Sequence, residues 1–101
     1  MSINLFFYVS KPYSEVKEII DQISARRQDL FSSKFVLYPV KDVGSTGKEI
    51  ALEYNLRAQS LFLVRLGDKN FAHCVEDVAN ILKDALGQDC TLVLFENERK
   101  M

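Results

Sequence analysis

The stretch KEIALEYNLR, residues 48–57, decides the fold of this 101-residue chain, because its pattern fits both a helix and a strand. Large apolar side chains at Ile50, Leu52, Tyr54 and Leu56 alternate with small or polar ones, which favours a half-buried strand. The same four residues also form two pairs spaced four apart, and alanine, leucine and glutamate are good helix formers, which favours a helix. Periodicity alone leaves both alternatives open.

The segments after residue 57 have clearer patterns. Leu61 to Leu66, LFLVRL, predicts a strand that ends at a turn over residues 67–70, and Phe71 to Cys74 could add a short return strand. A second amphipathic helix follows, with Gly87 placed to cap its C-terminus. Its apolar stripe consists of Val75, Val78, Leu82, Ala85 and Leu86. Thr91 to Phe95 predicts the last strand, and residues 96–101 form a polar tail.

The segments before residue 48 predict a strand, a helix and a second strand. Ile3 to Val9, INLFFYV, is almost wholly apolar, which indicates a strand covered on both faces. One amphipathic helix begins near Pro12 and continues to Leu30. Phe35 to Val40 predicts a strand, and Pro39 within it indicates either an edge strand or a strand that ends near this residue. Residues 42–47, DVGSTG, predict a turn.

This order of elements resembles the thioredoxin-like family that includes KaiB and the SasA sensor domain. The LFFYVS strand, the helix after Lys11-Pro12 and the segment Val40 to Gly44 carry the resemblance to KaiB and SasA. Residues 50–57 followed by Leu61 to Val64 are similar to the thioredoxin pattern of a helix and a central strand. The resemblance spans residues 3–86 and leaves the last strand unexplained.

The chain departs from redox thioredoxins at both functional positions. Ser10-Lys11-Pro12-Tyr13 stands where those proteins carry C-x-x-C, and Ser60 stands at the position of the family's cis-proline. Without two thiols at a helix N-terminus there is no dithiol to exchange. The resemblance therefore implies a branch without redox activity.

We predict one α/β domain over residues 1–101, thioredoxin-like in order (β-α-β-α-β-β-α-β), with a mixed four- to five-stranded sheet and two to three helices. If residues 49–57 form a strand, the order becomes β-α-β-β-β-α-β. The fold is then α+β, with helices on one face and a hairpin loop at residues 44–47. That alternative is more similar to small inhibitor and immunity proteins.

Composition excludes several classes of protein. The chain is 48% hydrophobic and 27% charged, which excludes disorder, and its net charge of −1 gives no general attraction to nucleic acid. Its apolar runs are too short to span a bilayer, and the N-terminus lacks the features of a signal peptide. We therefore expect a soluble cytoplasmic protein that binds neither membranes nor nucleic acid directly.

No group of residues predicts catalysis, a metal or a cofactor. Cys74 and Cys90 lie 16 positions apart without a C-x-x-C, so a disulfide between them is geometrically possible but unnecessary in a reducing compartment. His73 and Cys74 are neighbours, whose side chains diverge on a strand or helix. Residues 44–48, GSTGK, lack the first glycine of a phosphate-binding loop, and Glu49 follows the lysine.

The best candidate for a recognition surface is acidic. Glu76, Asp77, Asp84 and Glu96 are predicted to form a negative patch on the second amphipathic helix and the tail, away from the apolar stripe. Nothing in the fold requires these carboxylates, apart from a favourable helix-dipole interaction for the first two. Such a face would attract a basic partner, for example a nucleic-acid-cleaving toxin.

The predicted function is therefore binding, without enzymatic activity. The chain is expected to bind a partner protein and regulate or neutralise it, as an adaptor similar to KaiB or as an inhibitor of the toxin-immunity type. The alternative is a thiol-dependent redox protein or sensor that uses Cys74 or Cys90. Neither the identity of the partner nor the oligomeric state follows from the sequence.

Overall fold

The computed structural model describes residues 4–31, 35–67, 74–95 and 99–100. The elements, in chain order, are β1 (Asn4–Val9), α1 (Tyr13–Arg26), α2 (Gln28–Phe31), β2 (Phe35–Leu37), β3 (Lys41–Asp42), α3 (Ser45–Leu52), β4 (Ser60–Leu66), α4 (Val75–Leu86), β5 (Thr91–Phe95) and β6 (Arg99–Lys100). A 3₁₀ turn at Gln88–Cys90 joins α4 to β5. The predicted return strand at residues 71–74 lies outside the described residues, except for Cys74, which directly precedes α4.

The sheet has the order β2-β4-β1-β5-β6, and β3 pairs with β4 beside β2. Every pairing among the described strands is antiparallel. The predicted mixed sheet is therefore wrong, since a mixed sheet requires a parallel pair. The reason is that β4 lies between β1 and β2 and pairs with both. The two strands on either side of helix α1 in sequence are therefore not neighbours in the sheet and form no parallel pair. The domain is a small mixed α+β fold.

The strand at the β2 edge is interrupted at Pro39, as the sequence predicted. Leu37 lies opposite Val64, whereas Lys41 lies opposite Leu61, so three residues of the edge strand face two residues of β4. This one-residue excess is a β-bulge, and it accommodates a proline that has no N–H to donate. The backbone N–H of Tyr38 still donates to the carbonyl of Leu63 at 2.9 Å.

The ambiguous segment forms a helix, but earlier than predicted. Helix α3 occupies Ser45–Leu52, so part of the predicted turn is helical, and Gly44 is its N-cap residue. Asn55 has a φ of 63° and reverses the chain after the helix. Packing decides between the alternatives, because a helix places Gly47 and Ala51 on one side, where both are buried. The element order of the β-α-β-β-β-α-β alternative is therefore wrong, although the α+β class predicted with it is confirmed.

The first amphipathic segment forms two helices where one was predicted. Arg27 leaves the helical region with φ −118° and ψ 51°, and its backbone N–H donates to the carbonyl of Ile23. Its carbonyl accepts from the N–H groups of Leu30 and Phe31, which begins the short α2. The break lets Phe31 turn into the core, where it is 9% exposed.

The sheet carries a large core on one face and a smaller one on the other. The first face, covered by α1, α2 and α4, includes the stacked rings of Phe7 and Phe62, whose centroids are 4.7 Å apart. The second face carries a cluster around Tyr8, which packs with Ala51 of α3. Helix α3 lies on this second face next to Tyr8.

The C-terminal part confirms the predicted helix and last strand, except that Ala85 of the predicted apolar stripe is exposed and Ala79 is buried instead. Helix α4 buries Val78, Leu82 and Leu86 completely, and Gly87 follows it with a φ of 106°. Strand β5 pairs with the central β1. Two residues of the predicted polar tail form β6, which extends the sheet by pairing with β5.

Candidate partner-binding surface

The predicted acidic patch lies on the outer side of α4. Glu76, Asp77 and Asp84 are all exposed, while Val78 and Leu82 on the opposite side of the helix are buried. Asp77 and Asp84 are seven residues apart, so they lie on one face about two turns, or about 10 Å, from each other. We call Glu76, Asp77 and Asp84 the acidic face. The fourth predicted member, Glu96, lies outside the described residues.

The negative charge of the acidic face is not compensated within the described part of the chain. The two ion pairs described there, Lys11 with Glu15 and Arg27 with Asp29, involve none of its residues. Asp84 accepts a hydrogen bond from the side-chain amide of Gln88, which orients the carboxylate without neutralising it. Three exposed carboxylates therefore lie on α4, where Lys83 is the basic residue of the last turn.

The two thiols cannot form a disulfide in this fold. Cys74 directly precedes α4 and Cys90 follows it, and both are free and half-buried. The 12 residues of α4 extend about 18 Å, whereas the two Cα atoms of a disulfide lie within about 7 Å. The expectation that a disulfide is geometrically possible is therefore wrong. His73 lies outside the described residues.

Ser60, at the position that resembled the family's cis-proline, has a structural contact. Its buried hydroxyl donates to the carbonyl of Lys11 at 3.0 Å, and the side-chain amide of Gln59 donates to the carbonyl of Ser10 at 2.9 Å. These bonds fix the segment between β1 and α1. No peptide bond in the described segments is cis.

The sequence did not predict a second candidate surface, which lies on the opposite face of the sheet. On this face the side chains of Phe6, Leu61 and Leu63 are only partly buried, and Val36, which lies opposite Arg65, is 39% exposed. Phe6, Leu61 and Leu63 line a cavity of about 380 Å³ together with Tyr38. Val36 lies beside this cavity on β2. We call Phe6, Val36, Tyr38, Leu61 and Leu63 the open sheet patch. An apolar run such as LFLVRL does not reveal which part of it remains uncovered.

The described residues hold no group of three or more histidine, cysteine or acidic side chains that could bind a metal ion. No helix in the same segments combines the length and the apolar character needed to cross a membrane.

Comparison with known proteins gives consistent matches over nearly the whole chain. The family model described as CDI System Immunity Component matches residues 1–99. Immunity protein CdiI-2 of Burkholderia pseudomallei (strain 1026b) is 39% identical over 98 residues, which are 97% of this chain and 97% of that protein. A chain of the solved CdiA-CT/CdiI toxin and immunity complex from Burkholderia pseudomallei superposes with a TM-score of 0.93 at 38% identity, over 97% of this chain and 95% of that one.

These matches overturn the resemblance to KaiB and SasA. The motifs behind it were short and mostly apolar, and such motifs recur in unrelated sheets. The matched structure instead shares this fold over almost its full length.

Proposed function

Because the chain belongs to the CDI system immunity component family, we propose that it binds a toxin domain of the CdiA-CT type and neutralises it. The observation that carries this proposal is the match to a chain of a toxin and immunity complex, at a TM-score of 0.93 over 97% of the present chain. A shared fold alone would not imply a shared function, but here the identity is 38% and the family model agrees.

The proposed mechanism is binding without catalysis. An inhibitor that acts by occupying a surface is consumed one molecule per toxin, so its effect follows mass action. The family description supports this mechanism, since it names an immunity component and no reaction. The proposal also replaces the adaptor and redox alternatives, which none of the matches supports.

The acidic face is the proposed contact with the toxin. Glu76, Asp77 and Asp84 are exposed and lack a cationic partner within the described residues, so a basic toxin surface would provide the missing counter-charges. Complementary charges at an interface accelerate association and select the partner. Glu96 remains part of this proposed site because the sequence places it in the tail.

The test is a titration of the cognate toxin domain with this chain. The toxin's activity should fall linearly and reach its background at one molecule of this chain per toxin, and the two should co-elute as a complex. A toxin domain of another type serves as the control and should stay active. Complete loss of toxin activity at far less than one equivalent would overturn the binding mechanism, and no loss at excess would overturn the function.

A further inference from the structure

A small basic cavity lies between α3 and the start of β4. It has a volume of about 320 Å³ and is lined by Lys48 and Leu52 of α3 and by Arg57, Ala58 and Gln59. Leu52 is 53% exposed, the highest value among the large apolar side chains of the described residues. Lys48 and Arg57 are exposed, and neither forms an ion pair with another described residue. We call Lys48, Leu52 and Arg57 the basic notch.

The charges of α3 do not stabilise the helix itself. Acidic side chains in the first turn and basic ones in the last turn stabilise a helix, and α3 has neither. Its C-cap residue, Glu53, places a negative charge at the negative end of the helix dipole. Four residues before it lies Glu49, whereas four residues after Lys48 lies Leu52, so no opposite charges pair along α3. The stability of α3 therefore does not explain the cation beside Leu52.

The two glutamates also leave the basic notch positive. Glu49 and Glu53 each follow a notch residue by one position, which places them about 100° around the helix from Lys48 and Leu52. Neither glutamate lines the cavity. The cavity therefore combines two uncompensated positive charges with an exposed apolar side chain, and this chemistry complements an acidic side chain that has an apolar neighbour.

The basic notch and the C-terminal end of α4 lie at the same end of the sheet. The side-chain amide of Gln59 donates to the carbonyl of Ser10, and the backbone N–H of Ser10 donates to the carbonyl of Cys90, each at 2.9 Å. Cys90 follows α4, whose last turn carries Asp84 of the acidic face. Two strand spacings and one helix layer on each face place Asp84 roughly 20–25 Å from the notch. An interface of about 800 Å² per partner is roughly 30 Å across, so one partner at this end of the sheet reaches both.

We propose that the basic notch binds an acidic side chain of the toxin domain, with an apolar neighbour of that side chain packed on Leu52. The inference rests on the proposed function and adds a contact of opposite charge to the acidic face. The guanidinium of Arg57 offers paired N–H donors that match the two oxygens of a carboxylate, and the ammonium of Lys48 adds a second positive charge. Opposite charges at two separate points of one interface fix the orientation in which the toxin docks.

The test compares two exposed arginines by calorimetric titration of the cognate toxin domain. Arg57→Gln should raise the Kd about tenfold or more, because the toxin carboxylate loses its paired donors. Arg26→Gln is the matched control and should leave the Kd unchanged. Arg26 is also exposed and without an ion pair among the described residues, but it lies in the last turn of α1, at the opposite end of the sheet. Equal Kd values for the two variants would overturn the proposal.

Leu52→Ser tests the apolar half of the notch. It should raise the Kd several-fold, because the apolar neighbour of the toxin carboxylate loses its contact. The urea midpoint of each variant serves as the check on folding, and it should stay close to that of the wild type because both side chains are exposed. An unchanged Kd for Leu52→Ser would overturn the proposed packing on Leu52.

A charge exchange identifies the toxin group. Arg57→Glu should weaken binding more than Arg57→Gln, and lysine in place of one acidic residue of the toxin should restore it about tenfold, because the exchanged pair is again complementary. Failure of every acidic position of the toxin to restore binding would overturn the proposal. The wild-type chain separates this outcome from failure of the proposed function. If it neutralises the toxin while the notch variants bind equally well, only the notch contact is wrong, whereas a wild type that does not bind the toxin overturns the proposed function.

Discussion

A Cβ atom on Gly47 would lie 2.5 Å from Cγ2 of Val43, closer than such atoms approach in real structures. The same Cβ would lie 3.5 Å from Cε1 of Tyr8 on the central strand. Gly47 therefore lets the first turn of α3 lie directly against Val43, which precedes the N-cap residue Gly44. The distance to Tyr8 is an ordinary van der Waals contact, so the close approach is the one to Val43.

Gly47→Ala should destabilise the domain, because the added methyl group forces Val43 or the whole of α3 to move. We expect a loss of about 1–3 kcal/mol in the free energy of unfolding, measured by urea denaturation. Gly44→Ala is the matched control, since no atom other than those of its chain neighbours lies within 4 Å of the added methyl group, and it should cost only about 0.5 kcal/mol, because alanine is a poorer N-cap residue than glycine. Equal effects of the two substitutions would contradict the close approach.

Thr91→Val should stabilise the domain. The Thr91 hydroxyl is buried, and no described residue forms a hydrogen bond with it. Valine has the same shape and removes an unsatisfied polar group, so the free energy of unfolding should rise by about 1 kcal/mol. Thr91→Ser, which keeps the hydroxyl and loses the methyl group, should lower it. A decrease for the valine variant would indicate that the hydroxyl has a partner in solution.

Reversing Asp77 and Asp84 to lysine should weaken toxin binding mainly through the association rate, which we expect to fall about tenfold at low salt. Stability should change by no more than about 0.5 kcal/mol, because both side chains are exposed. The control is Glu49→Lys with Glu53→Lys, which changes the net charge equally but lies on the other face of the sheet. Stopped-flow mixing at several salt concentrations gives the rates. Equal rates for the two double variants would remove the acidic face from the interface.

Neither thiol should be needed for neutralisation. Cys74 and Cys90 are free and lie at opposite ends of α4, so they cannot act as a pair. The variant with alanine at both positions should titrate the toxin with the same stoichiometry as the wild type, with some loss of stability from small cavities. Loss of neutralisation in a variant whose circular dichroism is unchanged would instead support a thiol-dependent role.

The sequence predicted elements whose signal is local. Helix α4 follows from its apolar stripe and Gly87, and the edge position of β2 follows from Pro39, because these effects act within one element. The helical spacing of the apolar residues also predicts which side of α4 is buried. The acidic face was placed on the exposed side by the same spacing. The predicted function is confirmed in its inhibitor form, since an immunity-type protein that neutralises its partner was among the predictions, whereas the predicted family was wrong.

The sequence did not predict what depends on contacts between distant segments. The insertion of β4 between β1 and β2 leaves no local signal, so the sheet was predicted to be mixed. The helix at Ser45–Leu52 buries Ala51 in one cluster with Tyr8, and these two residues lie 43 positions apart. The exposure of the open sheet patch likewise depends on where α3 packs on the sheet. The pattern of apolar residues within a strand does not predict this.

The bulge at Pro39 also affects how this protein behaves when many copies are made at once. An uninterrupted outer strand offers a row of free backbone groups onto which identical chains can add, and aggregates grow in this way. Here the outer pairing on one side of the sheet is divided into three residues of β2 and two of β3. Neither piece is long enough to template a growing fibril, so the interruption at Pro39 protects this edge while the protein accumulates.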